Sequence, residues 1–338
     1  MSLQNDPQLR VRQSCAAPLQ SSPVGPTCRP NPAARRAPSI LASALALSCL
    51  LAASPGTALA GAWTQPQGDT LVIVKALHSD GRGWFDDSHH RTTFGDGQQF
   101  DGNGRSRQDQ LNVYVEHGLT DKLSFIGNFY FTDVGFSSHD VGRGRQQTST
   151  TGFSDQEIGL RYALPSAPDD VWRSSVQGLV SIPAYGRSKT YHPNNPPANS
   201  DPALGLGDYG LELRYSRGRG YTLGGRNGYV DLGGAVRLRG SAASDEVRVD
   251  ASTGLSLTPS WLLLGELNVI QGLGNGRNNL PRQGFVATGT NYDLTKLQLS
   301  TLYTAPGGSQ WQLGYQQPVM GRNTAAAGGP FVAAWWRF

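Results

Sequence analysis

The sequence predicts an all-β fold: a closed antiparallel transmembrane β-barrel of about twelve strands, preceded by a cleaved signal peptide. Three observations carry this. Apolar and polar residues alternate in short segments from residue 61 onward, the links between segments alternate in length, and the chain closes on an amphipathic segment ending in Phe338. A barrel strand exposes only every second residue to lipid. A mean hydropathy of −0.38 is therefore compatible with a membrane protein. After residue 60 there is no apolar run of the ~18 residues that a helical span requires.

The segments follow in order. Thr70–Leu77 opens the barrel. Leu111, Val113 and Val115 then alternate with Asn112, Tyr114 and Glu116. In the clearest segment, Leu123, Phe125, Phe129 and Phe131 take one face, and Ser124, Ile126, Asn128, Tyr130 and Thr132 take the other. Ile158, Leu160 and Tyr162 oppose Glu157 and Arg161, and Trp172–Ile182 alternates with small residues. Next, Tyr209, Leu211, Leu213 and Tyr215 oppose Asp208, Glu212 and Arg214. Val230, Leu232, Val236 and Leu238 oppose Asp231, Arg237 and Arg239. Val247, Val249 and Leu255 oppose Glu246, Arg248 and Asp250. Trp261–Ile270 is nearly all apolar but carries Glu266 and Asn268 on one parity. Leu294–Tyr303, Trp311–Gln316 and Phe331–Phe338 complete the twelve.

A soluble sandwich also alternates. Here, however, the polar face carries both charge signs, and aromatics sit near segment ends on the apolar face: Tyr162, Trp172, Tyr209, Tyr215, Trp261, Tyr303, Trp311 and Trp336. That is the pattern of a lipid-facing band between aromatic girdles around a polar interior. With a periplasmic N-terminus, odd links should be long outer loops and even links short turns. Links 78–108, 133–154, 183–205 and 271–291 are long, while 118–121, 165–170, 258–260 and 305–309 are short. Two depart: Ser216–Asn227 is too long for a turn, and Gly240–Asp245 is short for an outer loop.

The prefix divides in two. Residues 1–34, rich in Pro, Gln, Ser and Arg, read as disordered or as an over-called translation start. Residues 35–60 read as the signal peptide: Arg35-Arg36, the apolar stretch Ile40–Ala53, then Ala58-Leu59-Ala60, with cleavage between Ala60 and Gly61. The barrel is residues 61–338. All three cysteines (Cys15, Cys28 and Cys49) lie in the prefix, so the predicted mature chain has no disulfide or thiolate-metal chemistry. Five of the 29 basic residues and one of the 25 acidic residues also lie there. The remaining chain is charge-balanced, which argues against nucleic acid as a partner.

Phe338 shares its parity with Trp336, Ala334 and Val332, with Arg337 opposite. A terminal Phe on such a strand resembles the signal read by the outer-membrane barrel-assembly machinery. Four further stretches carry a wider resemblance: 62–68, Tyr114-Val115-Glu116-His117-Gly118-Leu119-Thr120-Asp121, 155–162, and 245–264. Through them most of residues 61–338 resembles proteobacterial outer-membrane proteins assigned to a MetA pathway of phenol degradation, and the related exopolysaccharide-associated XagA-like proteins. The resemblance implies a small barrel in the bacterial outer membrane with a transport role. It implies no catalytic residue and no particular substrate.

Among candidate sites, the inward charges come first: Glu116, Glu157, Arg161, Glu212, Arg214, Asp231, Arg237, Arg248, Asp250, Glu266 and Lys296. They read as a mixture of pairs bracing the wall and charges lining a constricted path. The Pro-rich segment 183–205, with Tyr185, Lys189, Tyr191 and His192, is the candidate outer surface for a partner or a gate. Asp86-Asp87-Ser88-His89-His90 lacks metal-ligand spacing and reads as a solvated loop. Asp96-Gly97 and Asp101-Gly102-Asn103-Gly104 read as turns, and Arg217-Gly218-Arg219-Gly220 as a periplasmic turn. No G-x-S-x-G seats a nucleophile, so an outer-membrane hydrolase is disfavoured, and neither metal nor cofactor is expected. The expected partners are outer-membrane lipid, the assembly machinery, and either a small-molecule substrate or a polysaccharide-export partner. Two functional classes remain: a passive channel for small solutes, or a plugged structural barrel supporting surface polysaccharide.

Overall fold

A computed structural model describes residues 61–93, 104–140, 144–186, 202–240, 243–276 and 288–338. The predicted signal peptide and prefix lie outside these residues, as do Asp96-Gly97 and Asp101-Gly102. The strands are β1 (Thr70–Gly81), β2 (Gly83–Phe85), β3 (Arg91–Thr93), β4 (Arg105–Thr120), β5 (Leu123–Asp140), β6 (Gly144–Phe153), β7 (Asp155–Ala163) and β8 (Arg173–Pro183). They continue as β9 (Gly210–Leu223), β10 (Arg226–Arg239), β11 (Glu246–Thr258), β12 (Trp261–Gly272), β13 (Thr288–Thr304), β14 (Gln310–Ala325) and β15 (Gly329–Arg337).

Every pairing is antiparallel, and the ring closes where β15 pairs with β1, from Leu71↔Arg337 to Leu77↔Phe331. β6 and β7 are two halves of one wall strand, both paired with β5. The small hairpin β2–β3 attaches to the end of β14. The wall is therefore a closed antiparallel barrel of twelve strands. Closure leaves no unpaired strand edge for hydrocarbon, where a free backbone group has no hydrogen-bond partner.

The outward face is apolar. Leu213 and Leu299 are each 69% exposed, and Leu160, Leu211, Val249, Leu297, Leu313 and Val332 are exposed with them. The Trp261 ring lies 4.9 Å from that of Tyr303, its cross-strand partner, tilted by 42°. Ser154 interrupts the parity of its wall strand. Two residues of β5, Phe129 and Tyr130, face three, Ser154–Gln156, so the wall carries a bulge. Ser154 is buried, and its hydroxyl bonds Thr132 at 2.8 Å.

Three expectations are corrected here. Ser216–Asn227 is not a long link. β9 and β10 run on to Leu223 and Arg226 and join through Gly224-Gly225, whose φ angles of 56° and 74° suit a tight hairpin turn. Arg217-Gly218-Arg219-Gly220 is accordingly strand, not turn, and the guanidinium groups of Arg217 and Arg219 each lie 5.2 Å from the Trp172 ring. Link 133–154 is mostly strand as well, because β5 and β6 continue as a hairpin beyond the apolar band. In all three cases polar or glycine-rich residues stay in strand because cross-strand pairing persists past the lipid-facing stretch.

The interior differs most from expectation. A polar lumen is predicted, yet the turn end of the barrel holds an apolar core. Leu71, Ile73, Tyr229, Leu262, Leu264, Leu302, Ala333 and Trp335 cluster inside the wall, with Trp63 and Tyr114 packed against them. Trp261–Ile270 signals this, since a segment apolar on both parities buries apolar side chains on both faces.

Candidate functional site: the lumen and the segment that enters it

Above the apolar core, one ion-pair network spans four wall strands. Register creates it: Arg237 on β10 stands opposite Glu212 on β9 and Glu246 on β11. Glu212 is 2% exposed and accepts from Arg237 Nε and Arg214 Nε, both at 2.9 Å. A third guanidinium, that of Arg248, lies 3.6 Å away. Arg237 also reaches Glu157 on β7 at 2.5 Å, and Arg214 bonds Asp250 on β11. Arg248 and Arg239 share Glu246 at 2.5 and 2.6 Å. Charges removed from bulk water are tolerated only when paired and hydrogen-bonded in this way.

Two smaller groups complete the lining. Arg161 Nη1 donates to both oxygens of Glu116 at 3.1 Å, and the Tyr114 hydroxyl donates to the same carboxylate at 2.8 Å. Lys75 Nζ donates to Gln298 at 2.8 Å and lies 3.9 Å above the Phe331 ring. The Gln298 amide in turn donates to Glu266 at 2.6 Å. A central cavity of about 340 Å³ is lined by Lys75, Glu157, Arg214, Asp250 and Glu266, among others. Toward the loop end lie two more, of about 290 and 300 Å³; Lys296 lines the second.

The turn end is filled by residues 61–69, which turn inward before β1 begins. The Asp231 carboxylate accepts from Gly61 N at 3.1 Å and Ala62 N at 2.9 Å. Ser175 Oγ donates to the Gly61 carbonyl at 2.5 Å, and Arg161 to the Trp63 carbonyl at 3.2 Å. Trp63 meets Tyr229 edge-on at 6.5 Å. Farther out, Gln65 N donates to Ser124 Oγ and Gly68 N to the Gly118 carbonyl. Two wall glycines leave the room. A Cβ on Gly118 would lie 1.9 Å from the Pro66 oxygen, and one on Gly218 would lie 2.5 Å from the Trp63 ring.

The predicted charges thus take distinct places. Glu157, Glu212, Arg214, Arg237, Arg248 and Asp250 meet in the network, and Glu116 and Arg161 pair beside it. Asp231 binds the inserted segment. Glu266 and Lys296 line cavities on the β12–β13 side. Lys75, Arg239 and Glu246 belong to the lining but are missing from the sequence-derived set. Strand parity offers each of them, since Arg239 and Glu246 share faces with Arg237 and Arg248, and Lys75 alternates with Val72 and Val74. The inserted segment carries only a faint signal, a lone Trp63 in a stretch without alternation.

Among the outer candidates, the Tyr185 hydroxyl donates to Asp155 at 2.6 Å and accepts from Gly207 N at 2.9 Å. Burial, then the Asp155 carboxylate, hold that hydroxyl protonated well above the usual tyrosine range. Lys189, Tyr191 and His192 lie outside the described residues. Asp86 folds its own turn, accepting from Ser88 N and His90 N at 2.9 and 2.8 Å. Among the described residues, no cluster of His, Cys, Asp and Glu converges on a metal position. Phe338 and Thr70 exchange both backbone hydrogen bonds at the seam, and Trp336 faces outward.

A closed barrel with an apolar outer band and an ionised interior is a transmembrane β-barrel of the kind built for bacterial outer membranes. A solved outer membrane channel from Pseudomonas putida F1 shares this fold, with a TM-score of 0.59 and 13% identity over 84% of this chain and 99% of that one. The NanC porin aligns more loosely, with a TM-score of 0.42 and 9% identity over 78% of this chain and 98% of that one. No family model matches the chain. No curated protein matches its sequence either.

Proposed function

We propose that the protein is an outer-membrane barrel that lets small solutes pass passively, through a lumen closed at its turn end in the conformation described. The observation that carries this reading is the band of ionised side chains around cavities of about 290 to 340 Å³. A barrel serving only as an anchor has no need of such a band. Selectivity would follow from lumen width and lining charge. The P. putida relative supports the reading through its fold. The MetA-pathway and XagA-like resemblance supports it at the level of family, without a substrate. No catalytic role is assigned to any residue.

Single-channel recording of residues 61–338 refolded into planar bilayers tests the proposal. Stable conductance steps are expected, with ion selectivity that shifts on charge reversal at Arg214 or Glu266. A folded barrel that never conducts would refute it. The occluded turn end specifically favours a second reading, a structural barrel supporting surface polysaccharide and engaging its partner through segment 183–205. In either case assembly would depend on the terminal strand with Trp336 and Phe338.

A further inference from the structure

We propose that Asp231 is a binding site for an α-ammonium group, that of the chain's own N-terminus once the Ala60–Gly61 bond is cut, and that this contact holds residues 61–69 as a displaceable stopper in the lumen. The stopper half rests on the channel reading above; the binding half does not.

The first argument is geometric. The two Asp231 oxygens take the first two backbone nitrogens separately, Oδ1 from Gly61 and Oδ2 from Ala62. A carboxylate straddling consecutive nitrogens at the start of a segment suits an ammonium followed by an amide. Ser175, on β8, fixes the Gly61 carbonyl.

The second argument is charge. Asp231 is 7% exposed. Among the described residues, no Lys, Arg or His nitrogen comes within 4.0 Å of it, whereas Glu116, Glu157, Glu212, Glu246 and Asp250 each have an Arg within that distance. Arg161 and Arg214 act on Asp231 only from beyond that distance, and a buried carboxylate with no cation in contact is costly. In an uncut chain Gly61 N is a neutral amide. After cleavage it is a cation 3.1 Å from the carboxylate.

The third argument is fit. A Cβ on residue 61 would meet Ser216 Oγ at 2.6 Å, so the site accepts glycine as the leading residue. The sequence places Ala58-Leu59-Ala60, a signal-peptidase recognition pattern, directly before it. Peptide hydrolysis by that peptidase adds water across the Ala60–Gly61 bond. It leaves a carboxylate on Ala60 and an amine on Gly61 that is protonated at neutral pH.

The test uses the full chain exported to the outer membrane. Intact mass should show a mature protein beginning at Gly61. The α-amine of the folded barrel is then challenged at neutral pH with an amine-selective acylating reagent. Labelling should be about ten- to a hundredfold slower than in the Asp231→Asn variant, because the lost interaction is a hydrogen bond to a charged group. Heat-modifiable migration on gels confirms that each variant is folded. In bilayers, Asp231→Asn and a chain lacking residues 61–63 should both conduct more than the parent.

A mature N-terminus at another residue, or equal labelling of parent and variant, overturns the binding site. Protection that Asp231→Asn abolishes, with conductance unchanged in both variants, overturns the stopper. Silence of every folded variant, the shortened one included, overturns the channel reading, while the labelling still decides the Asp231 contact.

Discussion

Replacing Glu212 with Gln removes one negative charge from the middle of the lumen and leaves the shape of the side chain intact. Three guanidinium groups, of Arg214, Arg237 and Arg248, converge on that carboxylate. Arg214 retains Asp250, Arg237 retains Glu157 and Arg248 retains Glu246, so none is left without an anion. Truncating one partner of a buried pair costs about 3–5 kcal/mol. The surviving amide oxygen still accepts one hydrogen bond, and the remaining anions share the load. The expected loss is therefore near the bottom of that range, about 3 kcal/mol. With an m-value of about 2 kcal/mol per molar urea, the unfolding midpoint should fall by about 1.5 M. Tryptophan fluorescence of barrels in lipid vesicles reads the transition. The double variant Glu212→Gln/Arg248→Met should recover about 1 kcal/mol relative to additivity, because it removes the surplus cation together with the anion. A single variant within about 0.5 kcal/mol of the parent, with strictly additive doubles, would refute the view that the network braces the wall.

Four other outcomes follow from the geometry. Gly118→Val sets a side chain against the Pro66 carbonyl and should detach the inserted segment, raising protease cleavage near residues 61–68 while the barrel stays resistant. Leu213→Arg puts a charge on the lipid face and should cost about 2–4 kcal/mol if it sits at the bilayer midplane, read as reduced folded barrel in the membrane fraction. Trp335→Ala removes a fully packed ring from the turn-end core and should cost about 3–5 kcal/mol in the same urea assay. Asp80 lies beside the outward-facing charges Arg107 and Asp133, beyond the lipid-facing band. A hydrogen bond from Arg105 lowers its pKa from the ordinary carboxylate value. Because the folded-state value is the lower one, this stabilisation is present above about pH 4 and disappears as pH falls through the depressed value. Asp80→Asn should therefore differ from the parent at pH 7 and converge with it in strong acid.

The wall was legible in the sequence because lipid imposes a rule at every second residue. Phe125, Phe129 and Phe131 declare a face without reference to anything distant, and all twelve strands can be located from such runs. Their ends were less legible. At Arg217–Gly220 and at 133–140 pairing outlasts the lipid-imposed alternation, so composition suggests a turn where hydrogen bonding keeps a strand. Parity also sends Glu212 and Arg237 inward, but which acid meets which base depends on register, which no local pattern encodes. The inserted segment was least legible. Its anchor lies 170 residues away at Asp231, and only closure of the barrel brings the two together.

The seam between β1 and β15 has a consequence for the order of assembly. Leu71 and Arg337 pair across almost the whole chain, so this ladder has the highest contact order in the molecule. Until it forms, β1 and β15 are both adhesive edges, and the barrel is an open sheet with its apolar interior residues uncovered. Residues 61–69 are tethered directly to one of those two edges. The strand that completes the cylinder therefore also delivers the segment that fills it, and a chain arrested before closure lacks both at once.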